Sequence, residues 1–467
     1  MLARTTVILL AIATTLASSE SARAQGFIIP DLGSRLNGMG AAIGRPDDVT
    51  AIYHNPAALA LLPGTQFGVS YGNTILNIDV SLKSWDQGKT LISDPVDAQG
   101  YYAKQTPTVY APLPFLGVST KLGTEKVTGA IGIYVPNAAG ASFGETSPSR
   151  YHIIDAFVFS AFFTAAVGWR PLPWLAVGLG ASAVYVNVHR RQILYPFLKA
   201  ADPSQKDQDL TAMIGKSTEL EFQGSDVRPA FSLGIQVWPH RTVSLGFMML
   251  SRYDIALTGP LALKPGPDAL PAFQSPAFTQ NEQRTTVVSP WIFGWGVNWD
   301  ITPWLELGAE FRFYLNSEVD KQVTSITNKG VLQDLIPNGI IAPKNYHNSI
   351  HTGGGFRVKP PIRKVELDLF TGMHYLNSPS PDNSFDVSTP NFDTFVYHVG
   401  ARWQAHPRFR LGLFYGHYWY LDRQTTDSIT YPPTNFSGRG SANIITLVLE
   451  GNLERGIGVR SAPASSH

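Results

Sequence analysis

The stretch Leu305–Leu315, LELGAEFRFYL, decides the fold class of this sequence. Its apolar residues fall at every second position, and polar or small residues fill the positions between them. Because successive side chains of a β-strand point to opposite faces, one face of this segment is apolar and the other is polar. The segments 364–369 and 408–415 repeat the pattern. A soluble sandwich buries such an apolar face, whereas a membrane barrel turns it toward lipid and keeps polar residues in the lumen.

The turns favour the membrane barrel. Tight breaks containing Pro or Gly alternate along the chain with long polar connections, the asymmetry of an outer-membrane barrel. Tryptophans flank many tight breaks, as expected for an aromatic girdle at the membrane interface: Trp169, Trp174, Trp238, Trp299, Trp304 and Trp403.

Six tight turns join twelve strands, and one strand on either side brings the total to fourteen. An even number places both termini on the periplasmic side. We therefore predict an all-β protein, a 14-stranded antiparallel transmembrane β-barrel over residues 65–452. The predicted strands are 66–83, 104–121, 126–136, 152–169, 174–190, 224–238, 242–257, 284–299, 304–318, 349–358, 363–376, 392–404, 408–421 and 441–452.

Composition limits the compartment and the partners. Of the 467 residues only 15% are charged, below the roughly 25% of a soluble domain, and none is cysteine. Lys and Arg number 36 against 35 Asp and Glu, so no basic field for nucleic acid is expected. Residues 1–24 have the charged start, short apolar core and Ala-Arg-Ala end of a signal peptide, which predicts export and a mature start at Gln25.

The segment between the signal peptide and the first strand, residues 25–64, shows no strand alternation. It contains Gly26-Phe27, a glycine series at Gly33, Gly38, Gly40 and Gly44, and then DDVTAIYHNPAAL at Asp47–Leu59. These motifs resemble the hatch of the FadL/TodX family, outer-membrane transporters of long-chain fatty acids and other hydrophobic compounds. With the fourteen strands, the resemblance covers nearly the whole mature chain. A barrel of this size also encloses a lumen that such a plug would fill.

The resemblance implies passive transport of a hydrophobic small molecule by a monomer embedded in outer-membrane lipid and lipopolysaccharide. Phe27 would line the substrate pocket, and Asn55, Pro56 and Ala57 would form the hatch contact. The third strand would kink and open a lateral exit at Pro136, Asn137, Ala138, Ala139 and Gly140. A proline there cannot donate to the sheet ladder, so a break in pairing is physically expected.

Two other functions remain as alternatives, a membrane-embedded lipid hydrolase and a general porin for small polar solutes. Gly68–Gly72, GVSYG, fits the nucleophile motif of hydrolases, but the alternation of a strand continues after it, where the motif needs a turn into a helix. Gly178-Leu179-Gly180 resembles a dinucleotide loop but lies within a predicted strand, where small residues facing the lumen explain it. A plugged lumen opposes the porin. We expect no catalytic residues, no cofactor and no enzyme.

The ionisable residues are interpreted as a lumen network. Glu306, Glu310, Glu366 and Asp368 are expected to balance Arg312, Lys364 and Arg410 across the lumen. His347 and His351 are four residues apart, a spacing that suits a metal only on a helix, so no metal site is predicted. The tail, residues 453–467, is rich in Ser and is expected to be disordered. The family usually ends with its last strand, and this tail departs from that pattern.

Overall fold

A computed structural model describes residues 31–198, 208–362, 365–388 and 390–454 as an antiparallel β-barrel with an N-terminal segment inside it. The signal peptide, Phe27, Lys364 and most of the C-terminal tail lie outside the described residues. The strands are β1 (Gln66–Leu82), β2 (Thr108–Tyr110 and Pro112–Lys121), β3 (Val127–Ser142), β4 (Asp155–Leu172), β5 (Leu175–Ile193), β6 (Glu219–His240), β7 (Val243–Leu250 and Tyr253–Lys264), β8 (Gln280–Ser289 and Ile292–Thr302), β9 (Leu305–Tyr314), β10 (Ser349–Val358), β11 (Leu367–Leu376), β12 (Thr394–His406), β13 (Phe409–Thr425) and β14 (Phe436–Asn452).

Each strand pairs antiparallel with its neighbours in sequence, and β1 pairs with β14 from Gln66↔Asn452 to Leu82↔Phe436. The sheet is therefore closed, which confirms the prediction of a fourteen-stranded barrel. Several strands extend beyond their predicted ends; β3, for example, continues through Pro136 to Ser142, so its predicted end at 136 is wrong. Apolar alternation marks only the part of a strand that faces lipid, whereas backbone pairing continues past it.

The outer surface of the barrel is apolar. Leu116, Ile131, Leu179 and Leu447 are each more than half exposed, while their sequence neighbours face inward. Five of the six predicted girdle tryptophans are also close to half exposed, such as Trp174 at 51% and Trp304 at 52%, whereas Trp238 is more buried. These side chains are placed as in an interfacial girdle, and they define the tight-turn end of the barrel. None of the described helices has the length and hydropathy of a membrane span.

The opposite end carries the long loops and is called the loop end below. Short strands extend the wall there, Lys321–Ile326 pairing with Ile340–Pro343, and Phe197–Leu198 pairs with Gln208–Asp209. Short helices lie in the same loops: Asp86–Leu91, Thr211–Ile214, Pro276–Thr279 and Val331–Leu335, with 3-10 turns at Pro148–Tyr151, Pro271–Gln274, Asn316–Glu318 and Asp382–Ser384.

The described part of the N-terminal segment, 31–64, contains α1 (Gly33–Met39), α2 (Ala51–His54) and a 3-10 turn at Pro56–Leu61. Nearly all of its residues are buried. Helix α1 ends at Gly40, whose left-handed conformation with φ of 68° suits glycine. The segment packs against the inner wall of the barrel, mainly in the half nearer the tight turns.

Candidate functional site

Inward-facing glycines of the barrel wall receive the backbone of the N-terminal segment. A methyl group added at Gly178 of β5 would overlap Pro56 and Ala57, and one at Gly372 of β11 would overlap Met39. Further glycines make the same kind of approach on other strands: Gly168, Gly234, Gly246, Gly296 and Gly353. The glycines at 178 and 180, which the sequence placed in the lumen, are inward while Leu179 between them is 60% exposed. Glycine here permits close backbone approach.

We expect Gly178→Ala to displace the Pro56 turn, because its Cβ would collide with backbone atoms that cannot rotate away. Overpacking of this kind costs about 1–3 kcal/mol. The expected result is faster proteolysis of the N-terminal segment in detergent, while the barrel still resists unfolding on gels. Gly68→Ala is the matched control, since its Cβ would lie 3.5 Å from Phe115 and 3.6 Å from Val49, which is ordinary contact. Equal resistance of the two variants would contradict the close-packing interpretation.

The predicted hatch residues Asn55, Pro56 and Ala57 form the buried start of the 3-10 turn. The Asn55 side chain accepts a hydrogen bond from Ala57 N at 3.2 Å, which caps the turn. Its amide nitrogen donates to the Ile235 carbonyl at 3.1 Å and to Gln236 Oε1 at 2.9 Å, both on β6. Asn55 thus caps the 3-10 turn and also attaches it to β6 of the barrel wall.

A buried charge network joins the N-terminal segment to β9–β14 at the tight-turn end. Arg402, 1% exposed, donates to Asp47 and Asp368 at 2.9 Å and lies 3.5 Å from Glu450. Arg35 contacts Asp47 and Glu306. Two more arginines complete the network, Arg357 on Glu306 and Arg410 on Glu450.

Four arginines of this network face four carboxylates, and the more exposed Lys359 lies 3.5 Å from Asp368 at its edge. Buried ions are tolerated only when they are paired in this way. The sequence correctly indicated that Glu306, Asp368 and Arg410 lie in a charged lumen, but Glu366 is exposed and that part of the prediction is wrong. Arg35, Asp47, Arg357, Arg402 and Glu450 were missed, although each inward strand position among them follows from alternation.

A second pair of charges holds the segment closer to the middle of the barrel. Glu310 accepts hydrogen bonds from Arg312 at 2.8 Å and from the backbone of Ala42 and Ile43 at 2.7 and 3.1 Å. Arg312 in turn lies 3.2 Å from His54 Nδ1. Glu310 and Arg312 of the wall therefore bind the N-terminal segment directly, at Ala42, Ile43 and His54.

The barrel wall is irregular where β2 meets β3. Pairing between them runs from Lys121↔Thr128 to Phe115↔Tyr134 and resumes at Tyr110↔Gly140. On the other side of β3, Val135 and Pro136 face one residue of β4, a bulge between Tyr134 and Asn137. The β2–β3 register skips residues 111–114 and 135–139, and we call this break in the ladder the wall opening. The predicted exit residues Pro136, Asn137, Ala138 and Ala139 lie in it, and Gly140 borders it.

Aromatic rings connect the N-terminal segment with this irregular stretch. Tyr53 packs edge-on against Tyr134 with ring centroids 5.4 Å apart, and Tyr134 stacks on Phe162 at the same distance. Tyr134 is the last residue of β3 paired with β2 before the opening. The structure therefore brings Tyr53, rather than Asn55–Ala57, against the edge of the opening, and the sequence analysis did not single out Tyr53.

A cavity of about 510 Å³ lies in the lumen toward the loop end. Most of its lining is apolar, including Val186, Val188, Phe222, Ile255 and Leu257. Ala111 and Ala138 also line it, so the cavity adjoins the wall opening. Its volume and lining are those of a site for an apolar small molecule.

A few polar side chains line the same cavity. Lys344 pairs with Asp386 at 3.2 Å, and Arg190 Nη2 donates to the His152 carbonyl at 2.6 Å. Burial raises the pKa of Asp386, but the Lys344 and Arg190 charges outweigh it and lower that pKa below its usual range. Burial lowers the pKa of His152 to about 4, so this imidazole is neutral at physiological pH. Three cations, Arg190, Lys321 and Lys344, therefore line the cavity together with one anion, Asp386.

The residues that a hydrolase would need are arranged differently. Ser70 lies within the continuous strand β1 and is buried, with Val69 and Tyr71 outward. The GVSYG motif therefore lacks the strand-to-helix turn that exposes a nucleophile.

A family model described as outer membrane protein transport protein (OMPP1/FadL/TodX) matches residues 15–451. The chain belongs to this family. The family resemblance read from the hatch motif is thereby confirmed, and a FadL/TodX-family chain is an outer-membrane transport protein.

Solved structures show the same FadL/TodX fold. A FadL homologue from Pseudomonas aeruginosa superposes with a TM-score of 0.71 at 15% identity, covering 92% of this chain and 100% of that one. The P. putida toluene transporter TodX gives 0.67 at 15% identity over 92% and 99%. The CymD monoaromatic hydrocarbon channel gives 0.61 at 11% identity over 91% and 98%. No curated protein sequence matches the chain.

Proposed function

We propose that this protein carries hydrophobic small molecules passively across the outer membrane and releases them sideways through the wall opening. The observation that carries the proposal is the apolar cavity that adjoins the opening between β2 and β3. Burial of each methylene group favours entry of an acyl or aryl chain by about 0.8 kcal/mol, a gain that a water-filled pore does not offer.

The route follows from what surrounds the cavity. Below it, the N-terminal segment and the buried charge network occupy the lumen at the tight-turn end. Beside it, Pro112, Pro114 and Pro136 lack the backbone N–H that would close the ladder. A solute held in the cavity therefore meets a filled lumen in one direction and the break in the β2–β3 ladder in the other.

Residues 25–64 act as the hatch in this proposal, and Asn55, Pro56 and Ala57 anchor it to β6. Phe27 lies a few residues before the described segment and is proposed to reach the substrate. Tyr53 couples the hatch to Tyr134, so a shift of the segment changes the edge of the opening. A filled lumen opposes the porin alternative.

The polar end of the cavity favours a substrate with one anionic group. Arg190 and Lys344 outnumber Asp386, and Arg190 Nε is buried without a hydrogen bond among the described residues. A fatty acid places its carboxylate at these cations and its chain among the apolar residues. A plain hydrocarbon uses only the apolar part.

Uptake by transporter-deficient cells tests the function. Cells expressing this protein are expected to accumulate labelled oleate faster than cells carrying an empty vector. Lys344→Met is expected to lower oleate uptake and leave labelled toluene uptake unchanged, because it removes a cation and keeps the apolar wall. Equal effects on both solutes would contradict the anionic substrate. No uptake of either by protein folded in the outer membrane would overturn the transport proposal and favour the hydrolase or the porin.

A further inference from the structure

Three histidines lie side by side on the inner wall of the barrel. His351 on β10, His374 on β11 and His398 on β12 are 0–2% exposed. The registers His351↔Leu376 and His374↔Val396 make them diagonal neighbours on one face. Their ring centroids are 4.6 and 4.7 Å apart. Three buried imidazole rings are therefore in contact at one place on the inner wall.

The histidines face an acidic residue at the start of the described N-terminal segment. Asp31 is 2% exposed, and neither of its carboxylate oxygens has a hydrogen-bond partner among the described residues. A buried carboxylate without any partner is costly. One Asp31 oxygen and one ring nitrogen each of His374 and His398 lie within 4.8 Å of one another.

From this geometry we propose that Asp31, His374 and His398 bind one divalent transition-metal ion of the Zn²⁺ class. His374 Nδ1 and His398 Nε2 are 3.0 Å apart, a separation that two cis ligands adopt at metal–nitrogen bonds of about 2.0–2.1 Å. The ion takes the place of the proton that the two rings otherwise share. Two imidazoles and one carboxylate suit Zn²⁺, Co²⁺ or Ni²⁺ rather than the oxygen-seeking Ca²⁺ or Mg²⁺.

The surroundings supply the outer shell of such a site. His351 packs edge-on against His374, and its Nδ1 lies 3.4 Å from Glu310 Oε1. Glu310 thus lies behind His351, and His351 packs against the ring of the proposed ligand His374. His374 also lines the cavity, so the proposed site adjoins the substrate space.

A bound ion would join two parts of the chain that are distant in sequence. Asp31 belongs to the N-terminal segment, whereas His374 and His398 belong to the wall. The metal therefore fastens the beginning of the described segment at the bottom of the cavity. The sequence analysis rejected a metal because two histidines lacked helical spacing, but that criterion does not apply to His374 and His398 on two neighbouring strands with Asp31 in the N-terminal segment.

The test is metal binding by the purified full-length mature protein in detergent, stripped with chelator and free of any histidine tag. Wild-type protein is expected to bind one equivalent of Zn²⁺, and Co²⁺ is expected to give a visible spectrum with nitrogen ligands. His398→Gln and Asp31→Asn are expected to lose this equivalent. His240→Gln, which changes an exposed histidine in a tight turn, is expected to retain it.

Two results would overturn the site. One is wild-type protein that binds no Zn²⁺, or a Co²⁺ spectrum without imidazole ligands. The other is full binding by Asp31→Asn, whose side chain keeps the original shape. The wild-type spectrum decides the matter even if His398→Gln fails to fold, because it reports the ligands directly.

Discussion

Ala138→Trp is expected to abolish most transport while leaving the barrel folded. Ala138 is 3% exposed, lies in the wall opening and lines the cavity. An indole fills the space through which a solute would leave, so we expect oleate uptake to fall roughly tenfold or more, given the large area that a Trp side chain covers. The measurement is the initial rate of uptake of labelled oleate by expressing cells, normalised to the amount of folded protein.

The control for this variant lies on the same strand. Ile133 is 46% exposed on the lipid-facing side of β3, and Ile133→Trp places the same indole outside the barrel. It is expected to transport at the wild-type rate. If Ala138→Trp transports as fast as Ile133→Trp, the solute does not leave through the opening. Binding of oleate to the purified Ala138→Trp protein distinguishes the two causes of slow uptake. A blocked exit leaves oleate binding in the cavity intact, whereas a lost binding site abolishes it.

Arg402→Met is expected to loosen the N-terminal segment and make the barrel leak. Arg402 contacts Asp47, Asp368 and Glu450 and lies 5.5 Å from the Phe370 ring. Methionine keeps much of the packing but leaves these carboxylates undercompensated, and breaking a buried ion pair in this way costs about 3–5 kcal/mol. We expect a lower free energy of unfolding in guanidinium and larger single-channel conductance in planar bilayers.

Arg408→Met provides the comparison, because Arg408 is exposed in the turn between β12 and β13. Loss of an exposed arginine is expected to change the free energy of unfolding by less than about 1 kcal/mol. A variant at Arg402 that is as stable and as impermeable as the one at Arg408 would show that the buried charge network does not hold the segment. The same two preparations, treated with protease, report whether the segment has left the wall.

The amino-acid sequence by itself determined the architecture, because the signals for it are local. The alternation of apolar and polar residues at Leu305–Leu315 indicates which face of the strand contacts lipid. Tight turns flanked by Trp mark the positions where the chain reverses direction. Counting those turns was sufficient for the fourteen strands. The DDVTAIYHNPAAL motif, equally local, identified the family that the family model then confirmed.

The tertiary structure alone decided which residues meet. Arg35, Asp47, Arg402 and Glu450 come from three distant segments, and only closure of the barrel brings their charges together. The bulge at Val135 and Pro136 depends on the register of β3 with both neighbours, which proline by itself does not fix. Asp31 faces His374 and His398 for the same reason: contacts across a closed sheet are set by register and curvature, and neither is encoded in any single strand.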